Sequence, residues 1–124
     1  MRQQLLKLHN EVRKKHNRHP LSLHPKLQQV AQQQADRMKN QDELTHQPFL
    51  GERISKAGYQ WVACAENIAW DGESGAPEKT FNNQWMASSE HKSNILKQNV
   101  DEVGFGRASG ASGEYWCAVF AKQR

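Results

Sequence analysis

CAENIAWDG, residues 64–72, sets two polar side chains inside what otherwise reads as a short strand entering a core. Cys64, Ala65, Ile68, Ala69 and Trp70 suit burial, whereas Glu66 and Asn67 do not. An isolated buried carboxylate costs several kcal/mol or takes up a proton, so Glu66 needs a partner brought from elsewhere in the chain.

Downstream, the loop DGESGAP (71–77) leads to Pro77, which suits the first position of a helix carrying Phe81 and Trp85 a turn apart. Ser88 and Ser89 are N-cap types ahead of a helical turn through EHKSNIL. The period then changes. VGFGRAS (103–109) and YWCAVFA (115–121) flank the Gly- and Ser-rich GASGE, predicting an antiparallel hairpin with a longer loop. Upstream, Leu5, Leu8, His9 and Val12 recur at helical spacing, giving a first helix over about residues 2–16. Pro20 and Pro25 punctuate a connection. From Pro25, the residues Leu27, Val30, Ala31, Ala35 and Met38 keep one apolar face in step to Asn40 or Gln41. A third helix around residues 49–57 stops at Gly58, a usual helix-terminating residue. Nothing repeats and no linker divides the chain, so residues 1–124 form one domain of the α+β class with an antiparallel sheet.

No apolar run approaches the roughly 18 residues of a membrane span. No secretory apolar region follows Met1. The expectation is therefore a cytosolic protein, or a mature secreted domain whose signal was removed and replaced by an initiator Met. The net charge of +4 is uneven, because residues 1–20 hold six Lys or Arg against Glu11 alone. RKKHNRH (13–19) is either a solvated helix end whose cations complement the macrodipole, or a patch for an anionic surface. No aromatic platform interleaves these residues, so nucleic acid is not an expected partner.

Cys64 and Cys117 are the only cysteines, and no CxxC pair points to a two-thiolate zinc site. A bridge between them, expected in an oxidising compartment, would stabilise by up to roughly 4 kcal/mol. Two separately buried thiols are the alternative. Trp61, Trp85 and Trp116 have apolar neighbours and are expected in the core, while Trp70 stands at a loop edge where it could meet a ligand. Asn10 is expected to cap or cross-link locally. Ser88 and Ser89 lie near His91 in sequence but lack the third orienting group of a triad.

In chain order, LLKLHNEVRKKH, PLSLHPKLQQVAQQQADRM, LTH, AGYQW, AENIAWDG, WMASSEHKSNIL, VGFG and YWCAVFA resemble the CAP superfamily of cysteine-rich secretory, venom-allergen and pathogenesis-related proteins. The resemblance is to its small bacterial branch and covers nearly the whole chain; ENIA followed by W…H..NIL is its most specific part. It implies a three-layer α–β–α sandwich with a short antiparallel sheet. It also implies a secreted, extracellular or periplasmic location, with the signal peptide absent from this chain. The family's open cleft is lined by histidines and acidic residues, and some members bind a divalent metal there, often zinc.

Carried over by motif, the cleft histidine after the second helix matches His46, the strand glutamate matches Glu66, and the histidine before NIL matches His91. The chain departs from the pattern at Ala65 and Glu90, where the family has glycine. Ser88 stands where eukaryotic members carry a second glutamate, Tyr115 where they carry a histidine, and Cys117 and Ala118 replace a polar pair. The four-residue eukaryotic cleft is therefore not intact.

The resemblance thus makes His46, His91 and Glu66 the expected ligands for zinc or another divalent metal, with no organic cofactor. Two imidazoles and a carboxylate leave a fourth position for water, whose pKa zinc would lower towards neutrality. Glu66 or Glu90 is the candidate general base. Without metal, the same residues form a polar cluster in which Glu66 accepts hydrogen bonds from imidazoles and ties the layers together. Two functions follow. One is a secreted, monomeric binding module whose cleft engages a cell-wall component, a lipid or a partner protein. The other is a metal-dependent hydrolase of peptide or cell-wall bonds. The incomplete eukaryotic cleft and the lack of an assignable base favour the binding module.

Overall fold

A computed structural model of the chain describes residues 1–72 and 75–124, so Glu73 and Ser74 of the expected 71–77 loop lie outside the described residues. Helices α1 (Arg2–Lys15), α2 (Pro25–Gln41) and α3 (Leu50–Lys56) form where the apolar spacing places them. Pro25 opens α2, and the His24 ring caps it by accepting from the Lys26 amide at 3.1 Å. Gly58 ends the α3 turn at φ +95°, a conformation that costs glycine nothing. Pro77 starts α4 (Pro77–Lys79), which runs into a π-helical Thr80–Trp85, and α5 covers Ser89–Ile95. Ser88 occupies the N-cap of α5, although its side chain makes no capping hydrogen bond.

The strands are β1 (Ser22–Leu23), β2 (Trp61–Asp71), β3 (Glu102–Gly110) and β4 (Gly113–Gln123), ordered β1-β3-β4-β2. The β2–β4 and β3–β4 pairs are antiparallel as expected. Two details differ. The connection between Pro20 and Pro25 contains β1, which pairs parallel with β3. It is too short to show a period, and its entry is held from outside by Asn10, whose side chain takes the Leu21 amide at 2.7 Å and donates to the Leu21 carbonyl at 3.1 Å. The hairpin loop is also shorter than expected, because Gly110 pairs with Gly113 and leaves only Ala111 and Ser112 between the strands.

Alternation along β4 builds two cores. Trp116, Ala118 and Phe120 join Leu5, Phe81, Trp85, Ile95 and Phe105 on the face covered by α1, the π-helical turn and α5. Tyr115, Cys117, Val119 and Ala121 join Leu27, Val30, Ala35, Met38 and Ile54 under α2 and α3. The result is the three-layer α–β–α sandwich. On the second face α2 lies backbone-close to β3: a Cβ at Gly104 would overlap the Leu27 carbonyl carbon, and one at Gly106 would overlap that of Ala31.

Two further expectations are corrected. Cys64 and Cys117 are free thiols, not a disulfide. They lie on neighbouring strands, but Cys64 is opposite Ala121 and Cys117 opposite Ile68. That offset is about 13 Å along the strands, against the roughly 7 Å a disulfide can span. The basic run 13–19 is not wholly a solvated helix end. Arg13 is buried and donates to the carbonyls of His19, Ile95, Lys97 and Val100 at 2.7–3.1 Å. Of the tryptophans, Trp85 and Trp116 are fully buried, Trp61 is half-buried against Gly51, and Trp70 is exposed.

Candidate functional site

β2 is an edge strand, and its central polar pair faces two ways. Cys64 and Ile68 point towards α2 and α3, so Glu66, in phase with them, does the same, and Asn67 points towards α5. Each holds one layer. Asn67 donates to the His91 carbonyl at 3.0 Å and accepts from the Asn94 side chain at 2.9 Å. Asn94 also reaches the Glu66 carbonyl at 3.3 Å. Beyond it, Trp85 Nε1 donates to the Ile68 carbonyl at 3.1 Å and Gln84 Nε2 to the Trp70 carbonyl at 3.0 Å. Alternate carbonyls along the open edge are therefore closed by side chains, which blocks further strand pairing there.

Glu66 answers the question posed by CAENIAWDG. Its Oε1 takes His46 Nδ1 at 2.8 Å and the Gln47 amide at 3.2 Å, while Oε2 takes the Gln47 side-chain amide and the Cys117 thiol at 3.5 Å. Burial, then the charge of Glu66, pushes the Cys117 thiol well above its ordinary pKa, so it stays a donor. A carboxylate only accepts, so His46 Nδ1 carries a hydrogen and Nε2 is the nitrogen turned away from Glu66. The His46 side chain is 60% exposed against 4% for Glu66, so the imidazole faces solvent from a buried anchor. Behind Gln47, Arg37 Nη2 donates to its Oε1 at 3.4 Å.

His91 comes from the opposite layer. Burial, then the charge of His46, lowers its pKa, with Glu90 opposing, so the ring is neutral near pH 7. Its Nδ1 is buried with no hydrogen-bond partner among the described residues. The structure thus brings His46 onto Glu66 and places His91 within electrostatic reach of His46. Glu90 is exposed on the first turn of α5. Among the described residues no group of three or more His, Cys, Asp or Glu side chains is arranged to hold a metal.

Gln47, Asn67, Asn94 and Cys117 complete the cluster without having been singled out as its members. The available signal was polarity next to a site residue: Gln47 follows His46, Asn67 follows Glu66, and Asn94 lies one turn after His91. For Cys117 the signal was its place where eukaryotic members carry a polar pair, but its contact with Glu66 depends on strand register.

A family model for CAP, the cysteine-rich secretory protein family, matches residues 6–120. The chain belongs to the CAP family. This CAP domain is 29% identical to the uncharacterized protein YkwD of Bacillus subtilis, over 94% of this chain and 45% of that protein. It is 30% identical to the human Golgi-associated plant pathogenesis-related protein 1, over 89% of this chain and 74% of that protein. Among solved structures, an outer surface protein of Borrelia burgdorferi superposes with a TM-score of 0.86 at 23% identity, covering 98% of this chain and 92% of that one. The CAP domain therefore spans less than half the length of YkwD and nearly all of the Borrelia protein. No described helix is long and apolar enough to cross a membrane.

Proposed function

We propose that this CAP domain is a secreted, monomeric binding module whose cleft holds a divalent metal, zinc by its ligand chemistry, between His46 and His91. The cleft would engage a cell-wall component, a lipid or a partner protein. The donor set fits the metal in two respects. His46 offers Nε2 to solvent with its tautomer held by Glu66, the usual support behind a metal-bound imidazole. His91 is held neutral and carries a buried unpaired nitrogen. Bound zinc would supply a Lewis-acidic centre with open positions for a ligand's oxygen or nitrogen. Glu66 is then a positioning residue for His46.

The observation that carries binding over hydrolysis is the saturation of Glu66. All four of its hydrogen-bond partners are protein groups, so it has no free oxygen with which to take a proton from water. The loop beside His46 adds support. Leu44 and Phe49 are 49% and 72% exposed, and Phe49 sits at φ +55°, a conformation that costs an aromatic residue about 1–3 kcal/mol. An exposed ring held there suits contact with a ligand more than it suits the fold.

Calorimetric titration of zinc into chelator-stripped protein, beside His46→Ala and His91→Ala, tests the reading. Micromolar binding lost in both variants, with no turnover of peptides or muropeptides with or without zinc, is the expected result. Zinc-dependent turnover abolished in Glu90→Gln would establish the hydrolase instead. Absence of zinc binding in a folded wild type would reduce His46, Glu66 and His91 to a structural network.

A further inference from the structure

The groove between α2 and α3 gathers cations that make no direct ion pair among the described residues. Gln29, Gln33 and Arg37 of α2 face Arg53 and Lys56 of α3 across a depression of about 300 Å³. Arg37 Nε and Arg53 Nη1 both donate to Gln34 Oε1, at 3.0 and 3.5 Å, so two guanidinium groups meet on one neutral oxygen. Arg37 is half-buried, and its charge is disfavoured first by burial and then by Arg53, with Cys117 and Glu66 partly opposing. Lys26, nearly one turn before Gln29, is tied to the Gly58 carbonyl at 2.8 Å and adds a fourth cation along α2 and α3.

Among the described residues no carboxylate makes an ion pair with Arg37, Arg53 or Lys56. Asp36 accepts from Gln32 at 3.0 Å, and Glu66 is occupied by His46, Gln47 and Cys117. The basic depression beside α1 differs. It is lined by Arg18, Ser93 and Lys97, and Arg18 there donates to the main-chain carbonyls of Leu96 and His16 at 2.8 Å each, whereas Arg37 and Arg53 meet only side-chain amide oxygens.

We propose that the α2–α3 groove is a binding site for a phosphate group, with Arg37 and Arg53 as paired guanidinium ligands and Lys56 as the third charge. A phosphate carries up to two charges and three acceptor oxygens, which matches two planar forks and an ammonium better than a single carboxylate does. Placed between the arginines, it replaces their repulsion with two charge-assisted contacts. Gln29 and Gln33 supply neutral donors at the rim. The site adjoins the cleft through Arg37, whose Nη2 donates to Gln47 Oε1 at 3.4 Å, but it needs no metal.

Pyrophosphate is the soluble probe, titrated calorimetrically at low salt into the full chain, Arg53→Gln, Lys56→Gln and a Lys14→Gln/Lys15→Gln control on the exposed end of α1. Expected are one site per chain and a weakening of about tenfold in Arg53→Gln. Lys56→Gln should lose several-fold and the control less than about twofold. Lys56 is exposed, so its variant keeps the test open if Arg53→Gln fails to fold. Sedimentation with phosphatidylglycerol against phosphatidylcholine vesicles identifies the source. Anionic-vesicle capture that needs Arg53 and Lys56 indicates a lipid headgroup, and pyrophosphate binding alone indicates a soluble phosphate. Equal losses in the control and the groove variants, or no binding to either probe at millimolar concentration, would overturn the proposal.

Discussion

At His9 the imidazole is enclosed by the rings of Phe81, Phe105, Phe120 and Trp85, with centroids 4.7, 5.0, 5.7 and 5.9 Å away. Nδ1 donates to the Leu5 carbonyl at 2.7 Å, and Nε2 has no partner among the described residues. Burial drives the pKa from 6.5 down to about 4, with the Leu5 carbonyl partly opposing and the charge of Arg13 adding to the fall. The folded chain therefore refuses a proton that the unfolded chain accepts. The contribution is intact above pH 6.5 and is lost as pH falls from 6.5 towards 4, a loss of about 3 kcal/mol. Urea unfolding across that range should show the decline, and His9→Gln should flatten it. An equally steep decline in the variant would assign it to other groups, such as His91, whose pKa is lowered in the same sense. The helical position of His9 was legible from spacing with Leu5, Leu8 and Val12, but its aromatic enclosure was not, because three other elements supply the rings.

Helix α2 and strand β3 touch through backbone at Gly104 and Gly106, which is why VGFG alternates glycine with Val103 and Phe105. Gly104→Ala should destabilise by about 3 kcal/mol or more, since the atom in the way is main chain and cannot rotate aside. A loss under about 1 kcal/mol in chemical denaturation would mean that α2 shifts freely on the sheet. Arg13 fastens a different junction, drawing the chain after α5 onto α1 through carbonyls 82 to 87 residues away. Arg13→Ala leaves buried carbonyls without donors and should cost about 3–5 kcal/mol. Arg13→Lys should recover only part of it, because an ammonium lacks the planar fork. Most helices were legible because a repeated apolar face extends over several turns. β1 was not, being two residues long, and the two-residue hairpin loop was not, because Gly- and Ser-rich sequence leaves strand ends undefined.

Strand β4 lies between β3 and β2 and buries side chains into both cores, so the whole sandwich closes around it. Amides of residues 115–121 should exchange with solvent only through global unfolding, and more slowly than those of α1 or α3. Faster exchange in β4 than in α2 would mean that the layers open as separate units. The candidate site has the opposite character. It lies at the open edge of β2, where the loop after α2 and the start of α5 arrive from different layers.

Local periodicity and motifs of adjacent residues were enough to read most helices, the strand carrying Glu66 and the family, and the family resemblance made His46, Glu66 and His91 the expected site residues. Which way each polar residue faces, and what it touches, came from the packing of the layers. The alternation of β2 sends Glu66 to His46 and Gln47 and sends Asn67 to α5. The β2–β4 register separates Cys64 from Cys117 and leaves Cys117 against Glu66 instead. A one-residue change of register would exchange the faces, so these contacts belong to the pairing of strands rather than to either strand alone.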